Sequence, residues 1–207
     1  MTVGWRGFYA IVGHDSGGDP IGVAERILRA GPAVLQLRFK GEDDRLHLAT
    51  ARALRARCAA AGVPFVVNDR ADLAALADAD GLHLGQDDLP LAAAREIFPG
   101  PIGVSTHDAA QARQAVGEGA DLIGFGPVFA TATKKNPDPV VGLEGLRAVC
   151  AEAKVPVVAI GGIDVERARQ ARAAGAALVA AIGAVAGADD PEEAARRMVA
   201  AAGAEAR

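Results

Sequence analysis

The stretch Asp80–Asp108, DGLHLGQDDLPLAAAREIFPGPIGVSTHD, sets a short apolar run (Gly81–Gly85), a helical segment beginning near Pro90 and a second apolar run (Ile102–Ser105) one after another. Most such runs along the chain are continuously apolar rather than alternating, the pattern of a strand covered on both faces. The same unit recurs in both directions. Phe8–Val12, Ala33–Arg38 and Pro64–Asp69 precede it; Leu122–Val128, Val157–Gly162 and Ala177–Ala184 follow. Eight such runs with helical segments between them predict an α/β fold, a (β/α)8 TIM barrel formed by residues 1–207 as a single domain. An open doubly wound sheet is the alternative.

Helix signals fall between the runs. Asp19 followed by Pro20, and Asp190 followed by Pro191, each read as an N-cap with proline at the first helical position, and Glu193 completes a capping-box spacing. Asp108 and Asp164 are cap candidates after the fifth and seventh runs. Ile21, Ala24, Ile27 and Leu28 share one helical face. The one long polar connection, Ala130 to Val141, reads either as a lid over a site or as a solvated loop.

Composition bounds the function. The 207 residues are 51% hydrophobic but only 4% aromatic, so Ala, Val, Leu and Ile must fill the core. A formal charge of −4, with no basic run, argues against a nucleic-acid partner. The longest apolar run, Ala173 to Ala188, is mostly Ala and Gly and falls short of the ~20 strongly apolar residues of a membrane span. No secretory pattern appears in residues 1–13, and Cys58 and Cys150 form no CxxC pair, so free thiols and a cytoplasmic location are expected. The sequence does not decide between a monomer and a homo-oligomer.

Polar residues gather where the apolar runs stop, and in a barrel those ends converge on one face. Alternation puts Gln36, Arg38 and Lys40 on one side of their segment, an amide and two cations suited to a phosphate or pyrophosphate; a solvated strand end is the competing reading. Asp69 and Asp88, at neighbouring strand ends, suit magnesium (Mg2+) bound together with phosphates. Alternatively, Asp88 caps the helix near Pro90 and Asp69 pairs with Arg70. Gly161-Gly162 and Gly183 follow the seventh and eighth runs, where backbone N–H groups can approach an anion. His83 reads as an interior histidine, and His107 sits at a strand end where it could act in catalysis. His14 and His47 have no informative context, and no His/Cys cluster suggests zinc.

Taken together, QLRFK (Gln36–Lys40), VNDRADLA (Val67–Ala74), DGLHLGQDDLP (Asp80–Pro90), IGVSTHD (Ile102–Asp108), GADLIGFGPVFATATKK (Gly119–Lys135), VPVVAIGGI (Val155–Ile163) and the strand around Ile182 resemble the thiamine phosphate synthase family over nearly the whole chain. The resemblance implies a (β/α)8 barrel that joins an aminopyrimidine methyl pyrophosphate to a thiazole ethyl phosphate, giving thiamine phosphate and pyrophosphate. Some members take a carboxylated thiazole phosphate and release carbon dioxide as well. By position it implies that Gln36, Arg38, Lys40, Asn68, Ser105 and Lys134 hold the pyrimidine pyrophosphate. Arg38, Lys40, Ser105 and Lys134 would be the catalytic group, and Asp69 and Asp88 the magnesium ligands. Thr131, Thr133, Gly162, Ile182 and Gly183 would hold the thiazole phosphate.

There are departures from the family pattern. Phe39 stands where an acidic residue is frequent, Arg167 replaces an asparagine after the Gly-Gly turn, Gly183 replaces a serine, and Val12-Gly13-His14 is unlike the usual end of the first strand. Two rivals remain. A related barrel that aromatises the thiazole phosphate by proton transfer would use His107 but has no need of Asp69 and Asp88. A non-catalytic phosphate-ligand binding protein would keep the glycine turns without a metal pair.

Overall fold

Every strand residue except the half-buried His83, Val104 and Ser105 is buried, and the sheet closes on itself. The computed structural model describes residues 3–13, 19–40, 43–131 and 138–203. Eight parallel strands run in chain order around a closed barrel: β1 (Gly7–Val12), β2 (Val34–Leu37), β3 (Phe65–Asn68), β4 (Gly81–Leu84), β5 (Ile102–Thr106), β6 (Leu122–Phe125), β7 (Val157–Ala159) and β8 (Leu178–Ala181). β8 pairs back onto β1, with Gly7 opposite Leu178 and Ala10 opposite Ala181. The closed ring excludes the open doubly wound sheet.

Alternation sorts the strand residues into two cores. Tyr9, Ile11, Val34, Val66, Leu122, Val158, Leu178 and Ala180 fill the barrel, with Trp5 and Val3 packed against them. Their neighbours Phe8, Ala10, Leu35, Leu37, Phe65 and Val67 face outward into the layer beneath the helices. Those helices are α1 (Pro20–Leu28), α2 (Asp44–Ala61), α3 (Ala71–Leu76), α4 (Leu91–Ile97), α5 (Ala109–Gly117), α6 (Gly142–Glu152), α7 (Val165–Ala173), the short α8 (Gly183–Ala186) and α9 (Pro191–Ala201). Among the described residues no helix is long and apolar enough to cross a membrane.

The aspartate caps form as the sequence predicts. Asp19 accepts from Gly22 N–H, Asp108 from Gln111, Asp164 from Arg167, and Asp190 from both Glu192 and Glu193. Three strands, β6, β7 and β8, end three residues before their apolar runs do, β7 at Ala159 rather than Gly162. β6 stops at Phe125 rather than Val128, because Pro127 has no N–H for the ladder. β8 stops at Ala181, and Gly183 opens α8 instead of continuing the strand.

A second use of aspartate fixes strand register at the end of the barrel opposite the site. Asp121, just before β6, accepts Ile102 N–H at 2.9 Å while its own N–H donates to Ile102 O at 2.9 Å. Asp80, just before β4, repeats the exchange with Phe65, both bonds at 2.8 Å. Arg95 ion-pairs with the Asp121 carboxylate. Burial alone would raise the Asp121 pKa, but the Arg95 and Ile102 hydrogen bonds outweigh it and hold the group below the ordinary carboxylate range. Stability from this carboxylate is therefore present above its unfolded-state pKa and is lost as pH falls through the depressed folded value. Asp121→Ala should cost about 2–3 kcal/mol in urea unfolding at neutral pH, with the deficit shrinking on the acid side.

Candidate active site

Beyond the apolar filling of the barrel, the inward positions turn polar, and a cavity of about 740 Å³ opens over the carboxyl ends of the strands. Its floor on one side is an ordered chain of hydrogen bonds. The Gln36 amide, itself buried, donates to Asn68 Oδ1 at 2.8 Å. Asn68 Nδ2 in turn donates to Asp69 Oδ1, and Lys40 Nζ ion-pairs with Asp69 Oδ2. Both oxygens of Asp69 are thus engaged and aimed. Its backbone has φ 67°, the left-handed region, which is uncommon for a non-glycine residue and a strained conformation that surrounding bonds must hold. Asp69 N–H bonds to His83 O and Arg70 N–H to Asn68 O, both at 2.8 Å, and these bonds hold the turn.

Asp88 lies beside this group. Its Oδ2 accepts Gly85 N–H at 2.6 Å, so the carboxylate folds back toward β4. It does not cap α4, whose N-cap is Pro90 with no side-chain bond. Nor does Asp69 pair with Arg70, which bonds to Asp44 and Asp72 instead. Both structural alternatives for the carboxylates therefore give way. The Asp88 pKa is raised, first by burial and then by the hydrogen bond and charge of Asp69. Two carboxylates held this close favour a shared proton or a cation between them.

Ser105 stands on the adjoining strand. Its Oγ lies 2.8 Å from His83 Nε2, and its carbonyl accepts from Gln86 Nε2 at 2.6 Å. His83 points into the barrel, where a Cβ on Gly103 would come within 2.7 Å of Nδ1; the glycine makes room for the ring. Burial pushes the imidazole down to about 4, so it stays neutral at physiological pH. Its reading as an interior histidine holds, with Ser105 as its partner. His107 lies in the cavity wall, with Nδ1 2.6 Å from Gly126 O and Nε2 3.5 Å from Asp138. Because a carbonyl only accepts, Nδ1 carries a hydrogen.

The far end of the cavity has a different chemistry. Gly161 and Gly162 have φ 96° and 64°, and a side chain on Gly162 would run into the Ala130 carbonyl, so backbone alone faces the cavity. Ile182, Gly183 and Ala184 line it where α8 begins, and the first N–H groups of that helix have no acceptor within it. Gly183 has open space around it: a Cβ there would meet nothing within 4 Å, and its φ is not positive. Arg167 closes this end. In the sequence it stands out only as a departure from the family pattern.

Of the residues expected from sequence, Arg38, Lys40, Asn68, Asp69, Asp88, Ser105, Thr131, Gly162, Ile182 and Gly183 all border the one cavity. Gln36 lies beneath it, reaching the site through Asn68. Thr133 and Lys134 lie outside the described residues, within the stretch 132–137 of the long polar connection. Gln86, Gln111 and Asp138 border the cavity without a role that their place in the sequence signals. Phe39 faces away, stacked on His47 with ring centroids 4.5 Å apart, so that departure leaves the site untouched. Among the described residues no three His, Cys, Asp or Glu side chains cluster as a metal site.

A family model described as thiamine monophosphate synthase matches residues 8–185. The chain belongs to that family. Thiamine-phosphate synthase of Chloroflexus aurantiacus is 43% identical over 95% of this chain and 92% of its own length. That of Archaeoglobus fulgidus is 44% identical over 92% and 90%. Among solved structures, thiamine phosphate pyrophosphorylase from Pyrococcus furiosus superposes with a TM-score of 0.88 at 34% identity, covering 94% of this chain and 95% of that one. A 3-hexulose-6-phosphate synthase superposes at 0.67 with 19% identity, covering 94% and 99%, which shows a shared fold alone.

The raised Asp88 pKa bears on the stability of the fold. Ionised Asp88 is disfavoured in the fold, so above its folded pKa the charge destabilises, and as pH falls through that value the penalty disappears. Asp88→Asn keeps an acceptor for Gly85 N–H but removes the charge. In EDTA at neutral pH it should melt above the parent protein, and the two melting temperatures should converge toward acid pH.

Proposed function

We propose that this protein joins an aminopyrimidine methyl pyrophosphate to a thiazole ethyl phosphate, with or without a carboxylate on the thiazole, to give thiamine phosphate and pyrophosphate. Carbon dioxide leaves as well when the thiazole is carboxylated. The observation that carries this reading is one cavity with two differently built anion ends: Arg38, Lys40 and the Asp69–Asp88 pair on one side, the Gly161–Gly162 turn and the start of α8 on the other.

The residues fit a magnesium ion. Magnesium is commonly held by one or two carboxylates, with waters and substrate phosphate oxygens completing its shell. Asp69 and Asp88 supply two, and the proton-favouring environment of Asp88 is that of a pair short of positive charge. When bound, the ion would neutralise charge on the departing pyrophosphate. Arg38 and Lys40 do the same from the protein side, and Lys134 joins them on the strength of the family resemblance. The bond between the methylene carbon and the pyrophosphate oxygen breaks, and its electron pair leaves with the pyrophosphate. The electron-rich aminopyrimidine stabilises the cation left behind, and the thiazole nitrogen lone pair closes the new carbon–nitrogen bond. No side-chain nucleophile is needed. Gln36 and Asn68 hold Asp69 in place, and the neutral His83 holds Ser105 at the pyrimidine side.

Proton-transfer chemistry on the thiazole alone would use His107, which lies in the cavity wall, but it gives no role to the carboxylate pair. A non-catalytic binding protein likewise gains nothing from it. Two free cysteines, Cys58 and Cys150, suit the cytoplasm as the setting.

The decisive assay supplies both substrates with magnesium and follows thiamine phosphate and pyrophosphate together. Equal amounts of the two products are expected; formation of neither would overturn the reading. Asp69→Ala and Asp88→Ala should lose most turnover and need more magnesium for half-maximal rate, while remaining folded by circular dichroism. Normal turnover at limiting magnesium would remove that residue from the metal site. Because Gly183 has both space and an ordinary backbone conformation, Gly183→Ser should add a hydroxyl contact to the thiazole phosphate. The gain is at most about 1.5–3 kcal/mol. It should appear as a lower KM for that substrate, with the KM for the pyrimidine substrate unchanged.

A further inference from the structure

We propose that Arg167 is a specificity residue of the glycine-lined end of the cavity, where its guanidinium supplies the cationic contact to the phosphate of the thiazole substrate. The proposal rests on the reaction assigned above, and it adds a side-chain cation to an end of the cavity where Gly161, Gly162 and Gly183 offer only backbone.

Arg167 is the third residue of α7, soon after the Gly161–Gly162 turn, and it borders the same cavity as Gly162 and Gly183. Two contacts fix its guanidinium. Nη1 donates to Gly162 O at 2.8 Å, and the guanidinium carbon lies 5.0 Å from the centroid of the Phe129 ring. Such stacking and carbonyl bonding orient the planar fork without consuming it. Nε is 3.6 Å from Asp164 Oδ2, too long for a hydrogen bond. A guanidinium has five N–H donors, so donors remain for a ligand.

The position is a poor one for helix stability. The first turn of a helix carries the positive end of its dipole, which disfavours a cation there. Asp164, the cap of α7, offsets part of this. An anion seated between the start of α8 and the Gly-Gly turn would offset the rest, and charge-assisted bonds from arginine to phosphate are among the strong ones. Among the described residues Arg167 is also the only Lys or Arg that borders the cavity from the elements following β6, β7 and β8; Arg38 and Lys40 extend from β2. Position 183 contributes no side-chain donor and Asp164 also borders the cavity, so without Arg167 this end would meet a phosphate dianion with amides, neutral hydroxyls and a carboxylate.

The test compares the parent protein with Arg167→Gln and Arg167→Lys. Glutamine can still donate to Gly162 O but carries no charge; lysine keeps charge without the fork. Steady-state KM is measured for the thiazole phosphate and for the pyrimidine pyrophosphate. Inhibition constants against the thiazole phosphate are measured for inorganic phosphate and for the unphosphorylated thiazole alcohol, with melting temperatures alongside. Arg167→Gln should raise the KM for the thiazole phosphate and the inhibition constant of inorganic phosphate about tenfold or more. The constants for the alcohol and the pyrimidine substrate should stay within about twofold, and lysine should recover part of the loss. The parent's KM for the thiazole phosphate should also fall as pH rises through the second phosphate ionisation near ~6, a dependence weakened in Arg167→Gln. Equal losses for alcohol and phosphate would show that Arg167 only braces the Gly162 turn, and unchanged constants would show that it does not reach the ligand; either result overturns the proposal while leaving the reaction intact. Failure of the parent protein to form thiamine phosphate would instead remove the reaction itself.

Discussion

Closing eight parallel strands on themselves forces every second side chain into a space too narrow for water and too small for many aromatics. Tyr9, Ile11, Val34, Val66, Leu122, Val158, Leu178 and Ala180 occupy it. The site depends on where that apolar filling stops. One strand period above it, the inward positions are Gln36, Asn68, His83 and Ser105, and each can be polar because each has an inward neighbour to bond. Gln36 meets Asn68, and His83 meets Ser105. The strand pairing sets these couples: Asn68 lies opposite His83, and Gly124, opposite Ser105, leaves the barrel open beside the imidazole. The register exchanges of Asp80 and Asp121 at the other end of the barrel therefore bear on the site, since a one-residue slip would turn these side chains outward.

The rim brings two carboxylates together. Asp69 is held by Asn68 and Lys40 in a backbone conformation that a non-glycine residue rarely adopts, and Asp88 is folded toward it by Gly85 N–H. A protein that needed only stability would not place two carboxylates together in a partly desolvated cleft. Ionised Asp88 is disfavoured there, and a cation between the pair, as proposed, would offset this and couple its binding to the order of the rim.

Much of the architecture is legible in the sequence because it is local. Continuous apolar runs mark strands covered on both faces, and Asp19, Asp108, Asp164 and Asp190 mark helix starts through bonds to residues two or three positions on. Convergence of the strand ends follows from the fold. What cannot be read is set by contacts between distant segments. The choice between Asp88 as helix cap and Asp88 as a group facing Asp69 depends on a bond back to Gly85, and nothing in the string QDDLP decides it. Arg70 is an equally good partner for Asp69 until the start of α2 brings Asp44 beside it. Phe39 looks like a change within the site and proves to belong to the outer core, since alternation turns it away from Arg38 and Lys40 toward His47. The end of β8 is hidden for a simpler reason: Gly183 and Ala184 are apolar enough to prolong a strand, and only the closed barrel requires the chain to turn there.

The two ends of the cavity differ in a way that would suit the two anions of the proposed reaction. A leaving group gains charge as its bond breaks, so it is best met by groups that bind more tightly as that charge grows, a task that flexible cations and a carboxylate-held cation would suit. A phosphate that serves only as a handle keeps its charge throughout. Rigid backbone N–H groups at the Gly-Gly turn and the start of α8 suit that task, because they are already oriented and need no rearrangement during the reaction. Holding one substrate by its unreactive phosphate would also fix the direction in which its ring nitrogen faces the pyrimidine methylene carbon. With both anions anchored as proposed, at opposite sides of one cavity, the protein would promote bond formation through position and charge while its own side chains stay chemically unchanged.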